Sequence, residues 1–190
     1  LTSDPGFILV RAVREAGYQV SPIPGCCAFV AALSGSGLPS DRFSFLGFLP
    51  SKSGARVSAL EQLVYKTETL IFYESTHRIL DSLRDMLGVF GSERYVVLAR
   101  ELTKTFETIH GDRLESLLSW VESDSNQQRG EFVLLVQGAE PRESKVDQDT
   151  LHILDLVAAQ LPPKKAAALT GEITGANKKL LYQHLINKNG

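Results

Sequence analysis

The chain has 190 residues, of which 43% are hydrophobic and 22% charged, and its formal net charge is -2. That is enough for one good core, or one domain with a small appendage, and it is the balance of an ordinary soluble protein. The only cysteines are the adjacent Cys26 and Cys27, which excludes a disulfide framework or a complete metal site and points to a reducing, cytoplasmic setting. No apolar run approaches the length of a membrane span, and no stretch reads as a signal peptide, so no membrane association is expected. The chain starts at Leu1 and its single methionine is Met86, as expected of a processed product or a fragment.

In chain order, SDPGFILVRAVREAG reads as a helix. Ser3 or Asp4 serves as its cap, Pro5 suits the first turn, and Gly17 ends it. YQVSPIPG reads as a short strand stopped by prolines, and CCAFVAALSGSGLP as a helix of small residues. RFSFLGFLP alternates as strands do. SGARVSALEQLVYK is helical and TLIFYE is a buried strand. STHRILDSLRDMLGVFG places Ile79, Leu80, Leu83 and Leu87 at helical spacing. RYVVLARE is the next strand, TFETIHG a further candidate strand, RLESLLSWVES a helix, SNQQRG a turn and GEFVLLVQG the last strand. The alternation argues for an α/β domain with a largely parallel or mixed sheet, covered on both faces. AEPRESKVDQD is polar and aperiodic and reads as a linker. Three short helices follow, over 150–160, 163–174 and 177–187.

Two strands end in similar chemistry. LIFYESTHR runs apolar and then meets Glu74 and Arg78; VVLARELTK meets Arg100, Glu101 and Lys104. Burying an unpaired ion costs several kcal/mol, so these groups either pair with one another as a structural network or line a wet cleft at the sheet edge. Ser75 or Thr76 is placed to cap the next helix, with His77 in its first turn. The chain has four histidines without paired spacing, so no metal site is expected. Small residues in PIPGCCAFVAALSGSGLP allow close approach to a flat ligand, or equally tight helix packing. Backbone N–H groups near Cys26 to Ala28 are potential donors to it.

Together, SDPG, VSPIPGCCAFVAALSGSGLPSDRFSFLGFLP, FYESTHR, LARELTKTFETIHG and GEFVLLV resemble the tetrapyrrole methylase superfamily. Within it they are most similar to the bacterial subfamily that methylates the ribose 2′-hydroxyl of a cytidine in the decoding region of small-subunit (16S) rRNA. The resemblance covers nearly the whole chain. It implies S-adenosyl-L-methionine as cofactor, small-subunit rRNA or the 30S subunit as partner, and a homodimer. It divides the chain into the remnant of an N-terminal α/β methylase domain (1–40), a C-terminal α/β methylase domain with a mixed sheet (41–139), a linker (140–149) and a helix-turn-helix-like tail (150–190). Cofactor contacts transferred by the resemblance fall on Cys27, Ala28, Glu74 and Glu101. Two departures stand out. Where the subfamily has Pro-Gly-Pro-Cys, this chain has Pro24-Gly25-Cys26-Cys27. The N-terminal domain's cofactor loop is not in the sequence, so the chain alone is expected to bind cofactor poorly or not at all.

A ribose hydroxyl is a weak nucleophile, so a positioned base contributes roughly 10²–10⁴-fold. Charge clustering and the resemblance together nominate Glu101 or Glu107 as base or hydroxyl-orienting group. Arg100 and Lys104 are assigned to hold phosphate or pair the carboxylates, and Arg78 to contact RNA; Glu131, which begins a strand, is a further candidate. From Pro162 to the end, Lys164, Lys165, Lys178, Lys179 and Lys188 face a single acid, Glu172. A small-residue helix, a turn at Gly175 and a basic second helix read as a helix-turn-helix. Lys178, Lys179, Tyr182 and Gln183 would then meet phosphate or bases. A dimerisation or capping bundle is the competing reading. Leu169, Ile173, Leu180, Leu181, Leu185 and Ile186 are its expected core either way. Two other functions fit parts of the sequence: a tetrapyrrole methyltransferase, and a non-catalytic nucleic-acid-binding module.

Overall fold

The computed structural model describes residues 6–140 and 148–188. The chain divides into two compact units, Leu1–Glu140 and Pro141–Gly190. In the first, helix α1 (Phe7–Glu15) precedes α2 (Ala28–Ser36), β1 (Phe43–Phe48), α3 (Ser53–Glu61), β2 (Thr69–Ser75), α4 (Ile79–Phe90), β3 (Tyr95–Arg100), β4 (Thr108–Arg113), α5 (Leu114–Ser123), a 3₁₀ turn (Ser125–Gln128) and β5 (Glu131–Val136).

The five strands form one sheet in the order β1-β2-β5-β3-β4. Only β1 and β2 pair in parallel; β2 with β5, β5 with β3, and β3 with β4 are antiparallel. The sheet is therefore mixed, not largely parallel. The reason lies in β5, which enters between β2 and β3 from the opposite direction. As a result β1, β2 and β3 all end at one edge of the sheet, and β5 begins there.

Alternation along the central strands serves two faces. Leu70, Phe72, Val96, Leu98, Phe132 and Leu134 pack with Leu60, Ile79, Leu83, Met86, Leu114, Leu117 and Val121 from α3, α4 and α5. Ile71, Val97, Ala99, Val133 and Leu135 pack with Ala32 and Leu33 of α2. The α4 stripe of Ile79, Leu83, Met86 and Phe90 keeps one helical face inward. Arg56, almost wholly buried, joins α3 to α4 by donating from Nε to Asp85 at 2.6 Å.

Residues 18–27 form no strand. Pro22 and Pro24 cannot donate to a ladder, and Tyr18 and Ile23 stand exposed. The turn expected at SNQQRG is the 3₁₀ turn, capped where Asp124 accepts from the Asn126 N–H at 2.9 Å. The candidate strand in TFETIHG exists as β4, pairing residue for residue with β3.

The second unit holds α6 (Gln148–Ala158), α7 (Pro163–Thr174) and α8 (Lys178–Lys188). Its core is Leu154, Ala166, Ala167, Leu181 and Leu185. Of the apolar side chains expected there, Leu169, Ile173, Leu180 and Ile186 are instead exposed. Helix α7 turns its small residues inward, at Ala166, Ala167, Thr170 and Gly171. The α7–α8 turn then approaches so closely that a Cβ on Gly171 would press on the Lys178 side chain and the Ala176 carbonyl.

Two glycines give opposite expectations. A Cβ at Gly138 would overlap the backbone carbonyl of Thr67, whereas one at Gly88, inside α4, meets nothing. Gly138→Ala should destabilise the domain by about 1–3 kcal/mol through overpacking, and Gly88→Ala should stabilise it by about 0.5–1 kcal/mol through helix propensity. Urea unfolding midpoints of the two variants check both.

Candidate functional site

The shared sheet edge brings the two charged strand ends together in a particular way. They are not neighbours: β5 lies between them. Glu74 and Arg100 both stand in register with Phe132, one on each side. Three residues from three strands thus form one row, and across a row side chains share a face of the sheet.

Glu74 is 3% exposed, and its carboxylate is fully engaged. It accepts from the Ser75 N–H at 2.8 Å and the Ser82 hydroxyl at 2.6 Å, and pairs with Arg78 at 2.9 Å. Arg78 also donates to the Leu49 carbonyl at 3.1 Å. At this strand end the pairing network is what the side chains build. Arg100 is 8% exposed and donates to the Arg129 carbonyl and to Thr108 Oγ1, each at 3.3 Å.

Beyond β3 the chain turns through left-handed backbone at Glu101 (φ 51°) and Thr103 (φ 65°). Such positions are uncommon for residues with a Cβ and need support from their surroundings. Support comes from Lys104, whose Nζ bridges Glu101 at 2.9 Å and Glu131 at 3.0 Å. Glu131 and Glu101 also exchange backbone contacts: the Glu101 N–H donates to the Glu131 carbonyl, and the Glu131 N–H to the Glu101 carboxylate. Glu107 accepts from the Thr103 N–H at 2.6 Å, closing the same loop.

Two hollows flank this loop. The first, of about 600 Å³, is lined by Ala28, Phe48, Tyr73, Glu74, Thr76, His77, Leu102, Glu131 and Val133, among others. That volume lies within the range that holds a small-molecule ligand. The start of α2 forms part of its wall. The first N–H groups of a helix have no intrahelical partner, and here they open beside the Tyr73 hydroxyl. Burial pushes that phenol above its ordinary range, while the Phe29 N–H pulls it down and Cys27 raises it. The second hollow, of about 550 Å³, is lined by Arg100, Glu101, Phe106, Asp124, Asn126, Gln127, Arg129 and Gly130. Gly130 borders both.

The expected residues therefore separate. Ala28 and Glu74 line the first hollow, with Cys27 at the start of α2. Arg100 and Glu101 line the second. Arg78 ties Glu74 to the Leu49 carbonyl, Lys104 bridges Glu101 to Glu131, which lines the first hollow, and Glu107 closes the loop between β3 and β4. In the tail unit Lys178 pairs with Glu172 at 2.9 Å. The exposed Lys179 contributes its backbone N–H to Asn177, which caps α8. Sequence reasoning passed over Tyr73, Leu102 and Gly130, of which only Gly130 carried a signal, as the glycine of SNQQRG. Thr76 is expected from the sequence to cap α4, which has no side-chain cap. Thr76 instead bonds Gly130 from both sides, accepting its N–H at 3.1 Å and donating to its carbonyl at 2.7 Å.

The loop staple has a definite pH window. The Lys104 ammonium and the Glu131 N–H hold the Glu101 carboxyl below the usual range. Glu101 and Glu131 hold the Lys104 ammonium above its own. A lowered acid stabilises above the ordinary carboxylate range and loses that contribution as pH falls through its lowered value. A raised lysine contributes below the ordinary lysine range and loses it as pH rises through its raised value. Amide exchange of residues 101–107 should thus be slowest relative to Lys104→Met between those limits, and the two proteins should converge at acid pH. Gly130→Ala, whose Cβ would collide with the Glu101 carboxylate, should abolish the difference at every pH.

Comparison with known proteins agrees with this architecture. The family profile of Tetrapyrrole (Corrin/Porphyrin) Methylases matches residues 1–118, and that of the RsmI C-terminal HTH domain matches residues 144–188. The ribosomal RNA small subunit methyltransferase I of Escherichia coli O157:H7 is 54% identical over 190 residues, covering 100% of this chain and 66% of its own length. Its counterpart in Pseudomonas aeruginosa is 56% identical over 192 residues, covering 100% of this chain and 68% of its own length. The chain thus spans about two thirds of these relatives. Among solved structures, a cobalt precorrin-4 methyltransferase of cobalamin biosynthesis aligns at a TM-score of 0.50 and 14% identity, over 70% of this chain and 58% of its own. The profile match over most of the chain and the identity to these relatives have one meaning: the chain belongs to the tetrapyrrole methylase family and ends in a helix-turn-helix domain of the RsmI type.

Proposed function

We propose that the protein is an S-adenosylmethionine-dependent methyltransferase acting on small-subunit rRNA, at the ribose 2′-hydroxyl of a cytidine in the decoding region. The observation that carries this reading is the joining of a methylase unit to a helix-turn-helix tail in one chain, at more than 50% identity to relatives named as small-subunit rRNA methyltransferases. A tail with exposed lysines on its second helix suits a polyanion. No described helix is long and apolar enough to cross a membrane.

The first hollow fits an adenosine-bearing cofactor on its own chemistry. It joins apolar walls at Leu102, Val133 and Phe48 to a helix start with N–H groups available for ring or ribose acceptors. Ala28 and the backbone around Glu74 would hold it, with Cys27 alongside. When bound, S-adenosylmethionine supplies an electrophilic methyl group. The chain's own part is placement and proton management. Holding a nucleophile in line in a dry site is worth about 7–11 kcal/mol of a barrier.

Glu101 is ionised at neutral pH and fixed by Lys104, so it is suited to accept a hydrogen bond from a ribose hydroxyl and orient it. A depressed pKa makes it a weak base. Glu131 shares the same lysine but is largely exposed, and provides a further acceptor at the rim of the first hollow. Glu107, engaged by the Thr103 N–H, supports the loop that carries Glu101. Arg78 and Lys104 are the cations assigned to meet an approaching phosphate backbone.

In the full-length gene product, Ala28→Leu should fill the first hollow and weaken S-adenosylmethionine binding about ten-fold or more by calorimetry, leaving rRNA binding unchanged; normal cofactor affinity would place the cofactor elsewhere. Transfer of labelled methyl from S-adenosylmethionine to small-subunit particles, mapped after nuclease digestion, should yield 2′-O-methylcytidine. Label appearing only in a tetrapyrrole acceptor would overturn the rRNA reading. Lys179→Gln should reduce the dependence of rRNA affinity on salt by about one counterion, and Lys178→Gln by less, because Lys178 already pairs with Glu172.

A further inference from the structure

The second hollow has features the methyl-transfer reading leaves unused. Its wall holds a guanidinium, Arg100, that is more than nine-tenths buried. Among the described residues Arg100 forms no ion pair, and its other contacts are a carbonyl and a hydroxyl, both neutral. Its Nε–H is buried with no acceptor, and Gln127 Oε1, in the same wall, is buried with no donor. A buried cation without a directly paired carboxylate is costly, and native structures seldom leave such atoms unmatched.

The hollow's two carboxylates feel the Arg100 charge, but among the described residues neither forms an ion pair with it. Glu101 is neutralised by Lys104. Asp124 is committed to the 3₁₀ turn, accepting from the Asn126 N–H and the Gln127 amide. Arg129, exposed at the rim, forms no ion pair among the described residues either. The same hollow is lined by Phe106, 71% exposed on the loop after β3. An exposed aromatic ring beside guanidinium groups that form no ion pair is the pairing that binds single-stranded nucleic acid: the ring stacks on a base and the cations meet its phosphate.

We propose that the second hollow is a subsite for a nucleotide of single-stranded RNA flanking the one that is methylated, its phosphate facing Arg100 and Arg129 and its base stacked on Phe106. This rests on the rRNA reading above. Gly130, bordering both hollows, sets the nucleotide directly beside the cofactor hollow. The left-handed backbone at Glu101 and Thr103 carries the loop that presents Phe106.

The test uses the full-length gene product with small-subunit particles, and measures cofactor affinity, KM for the particles and the salt dependence of binding. Phe106→Ala should raise KM about ten-fold or more, and Phe106→Tyr should restore it. Arg129→Gln should lower the slope of log affinity against log salt by about 0.7, and Arg129→Lys should retain the slope. Cofactor affinity should be unchanged in all four. Wild-type KM and slope in both Phe106→Ala and Arg129→Gln would overturn the subsite while leaving the rRNA reading intact. Failure of the unmodified protein to methylate the particles would overturn both.

Discussion

The arrangement depends on one constraint, the insertion of β5 antiparallel between β2 and β3. Backbone pairing on both sides locks its register, and a slip of one residue would exchange every side chain between the two faces. With that register, Leu134 and Phe132 stay on the α3–α5 side and Val133 and Leu135 on the α2 side. The same register sets Glu74 and Arg100 on either side of Phe132 and delivers Glu131 to the sheet edge where they end.

From there the electrostatics divide into two kinds. Glu74, with Ser75, Ser82 and Arg78, is a closely paired network that fixes the turn into α4. Arg100 is the opposite case, buried to a similar degree yet forming no ion pair among the described residues and leaving its Nε–H without an acceptor. The Lys104 bridge lies between them and fastens the loop after β3 to the start of β5. That fastening turns one sheet edge into two adjoining hollows, one suited to a flat, largely apolar ligand and the other to an anion with a ring.

The tail unit follows a simpler rule. Its core is small because α7 offers mainly Ala, Thr and Gly, which lets α8 pack close and leaves the longer side chains outside. The second helix thereby keeps Lys179 and Tyr182 at the surface, as a helix that meets nucleic acid requires.

Most elements were legible in the sequence, because strands and helices announce themselves through local periodicity and through Gly and Pro punctuation. The family was legible through FYESTHR, RELTKTFE and the Pro-Gly turn before α2. Locality also explains the misses. The prolines of YQVSPIPG signal an extended chain but not whether any strand pairs with it. The leucines of the tail signal a helix but not which face α7 selects. Similar motifs, a glutamate followed by a basic residue after an apolar run, became a closed network at Glu74 and an open hollow at Arg100. Composition at the two strand ends is nearly the same. What differs is the partner brought from 29 or 30 residues away, Glu131 for the Arg100–Glu101 end and Leu49 for the Glu74–Arg78 end, and only the folded sheet could choose it.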